Sequence, residues 1–246
     1  VSSAASDVYK RQVITNEQIE ERGETELYDV LRNEPGVSVT GGAGRPQNIT
    51  IRGMTGNRIM IVRDGIRSAD GFGANDINDA VGRDTFDLSN FESLQIIKGA
   101  SSSVHGSGAI GGVVILESSQ PGDFLKDKDF YTDVSGTYTD ISNKYKGTSN
   151  LAFRSGDTES LFNVSYWQGQ ETRNFDEDLY NRDLDGYSGA YTINHFFNEE
   201  VMLKAKAELY TQNQERLEGS PSIQPDGIWH IEDFAEDEIT EEYSAY

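Results

Sequence analysis

Residues 91–118 read FESLQIIKGASSSVHGSGAIGGVVILES. Leu94, Ile96 and Ile97, with Gln95 among them, and the apolar run Val113 to Leu116 enclose a stretch with glycine at 99, 106, 108, 111 and 112. Apolar runs of this length bounded by glycine are the mark of buried strands. The glycines Gly99, Gly106, Gly108, Gly111 and Gly112 permit positive φ and let a backbone lie close against a neighbouring wall. Two strands joined by a closely packed glycine loop are therefore expected here.

The surroundings extend the same unit. Upstream, Leu27, Val30 and Leu31 fall at helical spacing behind Thr25, a residue suited to capping, and Pro35-Gly36 ends the turn. Ile49 and Ile51 alternate with polar neighbours, residues 59–62 form an apolar run, and Asp64-Gly65 is a hairpin dipeptide. A polar excursion follows over residues 67–85. Helix and strand signals mixed in this way predict an α+β unit over residues 13–120.

Beyond residue 120 the period becomes two. Val134 and Tyr138, Leu151 and Phe153, Phe162, Val164 and Tyr166, Tyr187, Tyr191 and Ile193, and the set from Val201 to Leu209 mark five expected strands. Lys204, Lys206 and Glu208 fall on the opposite face of the last. Short links at 155–158 and 198–200 alternate with long acidic ones at 169–186 and about 212–240. Phe196 and Phe197 lie by a short link, and Tyr166 and Trp167 lead into a long one. Short turns on one rim, long loops on the other and aromatic residues at both fit a membrane barrel. On alternation alone, a soluble acidic β-sandwich binding module stays open as well.

Composition removes other classes. The 246 residues carry 42 acidic against 21 basic side chains, a net of −21 with pI near 4.4. The charge is uneven: 11 basic against 16 acidic residues up to position 120, and 10 against 26 after it. Nucleic acid is not an expected partner of so acidic a chain. No cysteine is present, which excludes disulfides, thiolate metal sites and a cysteine nucleophile from this chain. No apolar run approaches the ~20 residues of a membrane helix. Nucleophile-elbow, phosphate-loop and zinc-protease motifs are absent, so no enzyme and no resident cofactor is expected. The aspartates of residues 176–186 lack calcium-loop spacing and read as a solvated loop.

Four blocks occur in order: LYDVLRNEPGVSV at 27–39, NITIRGM at 48–54, RIMIVRDGIR at 58–67, and the stretch at 91–118. Together they resemble the plug domain of TonB-dependent outer-membrane receptors. With the exit QPGDFL at 120–125, the likeness is greatest to the haem, haemoglobin and transferrin receptor branch. The fold implied is an α+β plug at 13–120 followed by the first strands of a transmembrane antiparallel β-barrel, about 22 strands in the complete family fold. Residues 121–246 would be its N-terminal part. Residues 1–12, VSSAASDVYKRQ, show neither plug pattern nor signal peptide and are set apart as unassigned, as an assembly artefact would be. The chain ends in mid-alternation at 242–246, so it is expected to be a fragment that exposes a sheet edge when alone.

The resemblance implies an active-transport receptor in the bacterial outer membrane. It would bind an extracellular iron-containing nutrient, haem or a haem protein, and admit it when the plug rearranges under pull from the inner-membrane TonB complex. A siderophore or cobalamin is the alternative cargo. Haem would be transported rather than held as a cofactor. Arg52 and Lys98 match plug positions that face wall carboxylates, Lys98 standing where arginine is common, and Glu92 is a partner for Arg52. Asp70, Phe72 and Asn75 would point into the outer vestibule. Of the histidines, His105 occupies a loop position usually held by tyrosine and His195 shares the Tyr191 face. His230, beside Trp229, is the one placed to meet substrate.

Overall fold

The computed structural model describes residues 11–24, 26–40, 48–69, 86–99, 109–170, 183–198, 200–223 and 229–245, with backbone alone beyond residue 213. Its first part is a mixed sheet. β1 (Arg11–Thr15), β6 (Phe91–Lys98), β7 (Gly112–Ser118), β4 (Ile59–Arg63) and β5 (Ile66–Arg67) lie side by side in that order. The β4–β7 pair is parallel and its neighbours are antiparallel. β2 (Val37–Thr40) and β3 (Asn48–Ile51) form a separate antiparallel pair.

Alternation along the central strands explains the two-sided core. Ile59, Ile61, Leu94, Ile96, Val114 and Leu116 face one way and pack with β2, β3 and two short helices. Met60 and Val113 face the other way with Ala109, against partly buried Val62, Ile97 and Ile115. The first helix, α1 (Asn16–Glu21), opens on a capping box in which the Thr15 hydroxyl accepts from Gln18 N and the Gln18 side chain accepts from Thr15 N. The second, α2 (Leu27–Leu31), has Glu26 at its cap position without a side-chain cap bond. Thr25, the expected cap, lies outside the described residues.

β1 begins at Arg11, and Gln12 pairs with Ile96. Arg11 and Gln12, set apart in the sequence reading, are thus part of the sheet. Asp64 and Gly65 both adopt positive φ in the β4–β5 hairpin, the conformation that an Asp-Gly turn supplies.

A short helix, α3 (Pro121–Leu125), leads into a second sheet. β8 (Phe130–Thr139), β9 (Lys144–Ser155), β10 (Thr158–Gln170), β11 (Asp183–Phe196), β12 (Met202–Ile223) and β13 (Trp229–Ala245) form an antiparallel meander in sequence order. The sheet is open, with β8 and β13 at its edges. Among the described residues, the reading of five strands is corrected to six. The interval expected to be a loop at 212–240 contains the upper half of β12 and most of β13, paired from Ala207↔Ala245 to Ile223↔Trp229.

The faces of this sheet are reversed from those of a soluble sandwich. Outward positions carry Phe130, Val134, Tyr138, Tyr145, Phe162, Val164, Tyr166, Tyr187 and Leu203, all exposed. Aromatic pairs such as Phe162–Tyr191, 4.4 Å between centroids, run across that face. Inward positions of the same strands carry Lys144, Lys146, Asn150, Asn163, Ser165, Ser188, Thr192, Asn194 and Lys206, all buried. Apolar out and polar in, on strands of ten residues or more, is the pattern of a membrane barrel wall. Helix α3 fits against its inner face, where Leu125 packs on Ala152 and Leu161.

Trp167 corrects one aromatic assignment. It points inward, 4 % exposed, beside Leu184 and Tyr210, because its odd-numbered position on β10 shares the face of Asn163 and Ser165. Tyr166 keeps the outward place.

Candidate functional site

The site is the seam between the first sheet and the inner face of the second. Three wall lysines reach three carboxylates of the first unit. Strand parity turns Lys144 and Lys146 inward while Tyr145 between them faces out. Lys146 Nζ lies 2.6 Å from Asp87 Oδ1, both side chains being buried. Asp87 caps a single helical turn by accepting from Ser89 N at 3.0 Å, and its second oxygen accepts from Ser188 Oγ on β11. Burial opposes ionisation of Asp87, but the Lys146 ammonium and the hydrogen bonds from Lys146, Ser188 and Ser89 outweigh it, holding the carboxyl well below its usual range.

The second contact lies along β12. Lys206 Nζ is 2.9 Å from Glu208 Oε2 on its own strand and 3.7 Å from Asp64 Oδ2 in the β4–β5 turn. Asp64 also accepts from Ser118 N at 2.8 Å and Ser118 Oγ at 2.6 Å. The same ammonium donates to Ser118 Oγ and lies 5.3 Å from the Phe91 ring centroid. In the third contact Lys144 Nζ meets Glu26 Oε1 at 2.6 Å.

Neutral polar groups fill the rest of the seam. Asn194 Nδ2 donates to Gln120 Oε1 at 3.4 Å and Asn90 Nδ2 to Glu208 Oε1 at 3.5 Å. Asn90 Oδ1, Ser119 Oγ and Asn194 Oδ1 are buried without a partner among the described residues. An interface joined by ions and amides, with acceptors unfilled, is held by directional contacts rather than by a shared apolar core.

The sequence-selected residues fall elsewhere. Arg52, at φ +50, donates its backbone N–H to Gly36 O. Its guanidinium lies where a side chain at Gly99, φ +102, would come within 3.2 Å. Lys98 Nζ donates to Pro35 O at 2.5 Å. Burial chiefly lowers the Lys98 pKa; Glu34 opposes that shift and Arg52 adds to it. The structure thus brings Arg52, Lys98 and Gly99 together at one end of β6, inside the first unit.

Glu92 is at the other end of that strand. Burial, then the charges of Asp123, Glu20 and Glu17, raises its pKa. It faces carboxylates instead of Arg52. Across the described seam the cations stand on the wall and the carboxylates on the plug side.

Gly111 and Gly112 are held by close approach. A Cβ on Gly112 would lie 2.6 Å from Ile97 O and 2.8 Å from Ile51 Cδ1, and one on Gly111 would lie 2.7 Å from Ile59 Cδ1. The neighbours are strands of the same unit, not the barrel wall. Gly106, Gly108, His105, Asp70, Phe72 and Asn75 lie outside the described residues. His195 is on the outward face, its Nδ1 2.9 Å from Thr158 Oγ1. Trp229 and His230 open β13 opposite Ile223 and Ser222.

The lysines at the seam were visible in the sequence as two Lys-x-Lys pairs, 144/146 and 204/206, within alternating strands. Their sharing of a face with asparagine and serine, opposite aromatic residues, is the signal for a polar lumen.

Comparison with known proteins fits this arrangement. Residues 4–113 match the family described as TonB-dependent Receptor Plug Domain. The FrpB iron transporter of Neisseria meningitidis superposes over 85 % of this chain and 32 % of its own, with TM-score 0.69 and 21 % identity. The chain thus carries a plug domain like that of the TonB-dependent receptors.

The plug domain is seated against a strip of barrel wall, the arrangement of the outer-membrane receptors that this chain resembles. Its sequence is 34 % identical, over 62 % of its length, to the probable hemoglobin and hemoglobin-haptoglobin-binding protein 1 of Haemophilus influenzae. The aligned region spans 15 % of that relative's length. The ferric-catecholate import receptor Fiu of E. coli K12 is 25 % identical, with TM-score 0.62 over 88 % of this chain and 29 % of its own.

Proposed function

We propose that this chain is the gating portion of an outer-membrane receptor that takes up haem or a haem protein as an iron source. The plug would rearrange when the inner-membrane TonB complex pulls on the protein. The observation that carries the gating reading is the seam itself: ion pairs and amides hold the plug, so it can separate without tearing an apolar core. Likeness to a haemoglobin-binding relative favours haem as cargo, transported rather than kept as a cofactor, and no catalytic step is assigned.

Trp229 and His230 are proposed to meet the substrate at the outer rim. Ser222, the partner of His230, lies twenty positions along β12 from Met202. At about 3.3 Å per residue this is roughly 66 Å along the strand, well past an apolar band about 25 Å tall even with the ~45° tilt of a barrel strand. Neutral imidazole is a ligand for haem iron. In the complete receptor, haem titration should give a Soret shift that His230→Ala weakens, and haem should support growth as sole iron source. Full titration by the variant removes His230 from the site; failure of the wild type to bind haem removes the haem reading.

A ferric catecholate is the second reading, favoured by the 25 % identity with Fiu. Uptake of a catecholate complex, but not haem, by the complete receptor would establish it.

A further inference from the structure

The seam lysines all belong to the wall. When the plug moves, Glu26, Asp64, Asp87 and Ser118 go with it, whereas Lys144, Lys146 and Lys206 remain on the barrel, Lys206 keeping Glu208 of its own strand at 2.9 Å. The lysines stand at two heights. Lys146 pairs in register with Trp167, while Lys206 is in the row of Thr192, Leu161 and Ala152. Six residues of β9 separate the two rows, about 20 Å of strand. Between them the inner face carries Asn150, Asn163, Ser165 and Ser188, all buried now and all able to hydrogen-bond to a passing polar group.

A buried ion pair contributes little net stability, since desolvation offsets attraction, and an apolar pair of like volume holds two surfaces at least as well. Repeated lysines on the side that stays in place therefore ask for a role in the displaced state. An ammonium bared in a narrow lumen draws an anion to replace the lost carboxylate.

We propose that Lys144, Lys146 and Lys206 form an anion track on the barrel wall, in which carboxylates of the cargo replace those of the withdrawn plug. The ligand class is a carboxylate-bearing iron chelate; haem qualifies through its two propionates. Plug and cargo compete for the same ammonium groups, so the lysines would be covered in the resting state and occupied during passage. The cargo assignment rests on the receptor reading above, whereas the track itself asks only for an anionic chelate.

The test uses the complete receptor in cells, with haem and haem dimethyl ester as probes. One variant replaces the three lysines by glutamine and their carboxylate partners by Glu26→Gln, Asp64→Asn, Asp87→Asn and Glu208→Gln, so that no carboxylate of these pairs is left uncompensated. A second changes the plug carboxylates alone, and a third converts the three lysines to arginine. The readout is the ratio of haem to ester uptake, which a loosened plug leaves unchanged. The first variant is expected to lower this ratio about tenfold or more, the scale of one lost charge-assisted hydrogen bond. The second and third should keep the wild-type ratio. An unchanged ratio in the first variant, or an equal fall in the second, overturns the track. If the wild type imports ferric citrate but not haem, the haem reading fails, and the same variants decide the track on initial ferric citrate uptake. Import of uncharged or cationic chelates alone overturns both.

Discussion

Lys146 of β9 and Asp87 of the plug form an ion pair at 2.6 Å in which both side chains are buried. Its two members respond differently to substitution. Lys146→Gln leaves a buried carboxylate without its cation, at a cost of about 3–5 kcal/mol. Lys146→Met with Asp87→Leu removes both charges and is expected to restore much of that loss. Thermal unfolding of the complete receptor in detergent measures the difference. If the single and double variants unfold together, the pair is not coupled.

The same pair sets an acid limit. The Asp87 pKa is depressed on folding, so its stabilisation is present above the unfolded value of about 3.9 and is lost as pH falls toward the folded one. Plug seating should hold through neutral and mildly acidic pH and weaken below about pH 4. Asp87→Asn should flatten that part of the profile. Proteolysis of the β8–β9 connection and plug termini, followed against pH, reports it.

Close packing makes a separate prediction at Gly112. A methyl group there meets Ile97 O at 2.6 Å and Ile51 Cδ1 at 2.8 Å, and a backbone carbonyl within a ladder has little room to retreat. Gly112→Ala should cost about 1–3 kcal/mol, measured by denaturant unfolding. Gly136→Ala, on the outward face with nothing within 4 Å, is the control and should change stability little.

These glycines show what the sequence made legible. The apolar residues Leu94, Ile96 and Ile97, the run at 113–116, and the Asp64-Gly65 turn mark strands and a hairpin by local chemistry. The parallel partnership of β4 with β7 has no such mark, because an apolar run records burial and not its neighbour. Helix α1 had a readable capping box at Thr15 and Gln18, but only Ile19 of its residues is buried, too little for a helical period. β13 escaped notice because the acidic residues from Glu232 to Glu242 mask its alternation. At the site, single residues at strand ends such as Arg52 and Lys98 drew the reading by family position. Lys146 and Lys206 become recognisable only once strand parity places them with asparagine and serine.

Trp167 supplies a spectroscopic handle on the inner wall. Its ring lies 5.4 Å from that of Tyr210 and covers Gly186, where a Cβ would come within 2.5 Å of Trp167 Cζ2. In the complete receptor, the emission lost on Trp167→Phe, taken as a difference spectrum, should lie at short wavelength, as from a buried indole. Gly186→Ala must push the ring away, at a cost of about 1–3 kcal/mol, and should shift that emission to the red. Unchanged emission would place the indole elsewhere.

The two faces of β10 yield the sharpest test of the wall. Val164 faces outward, 55 % exposed, between Phe162 and Tyr166. Asn163 faces inward and donates to Asn150 Oδ1 at 2.5 Å. In a bilayer an outward arginine meets hydrocarbon, costing about 2–4 kcal/mol near the midplane. Val164→Arg should therefore reduce assembly of the complete receptor in the outer membrane. At Asn163 the inward face supplies polar partners such as Asn150, so Asn163→Ser should assemble normally. Heat-modifiable mobility of the outer-membrane fraction on gels reads both. Normal assembly of Val164→Arg alongside failure of Asn163→Ser would reverse the assignment of the faces, and with it the direction in which Lys144, Lys146 and Lys206 point.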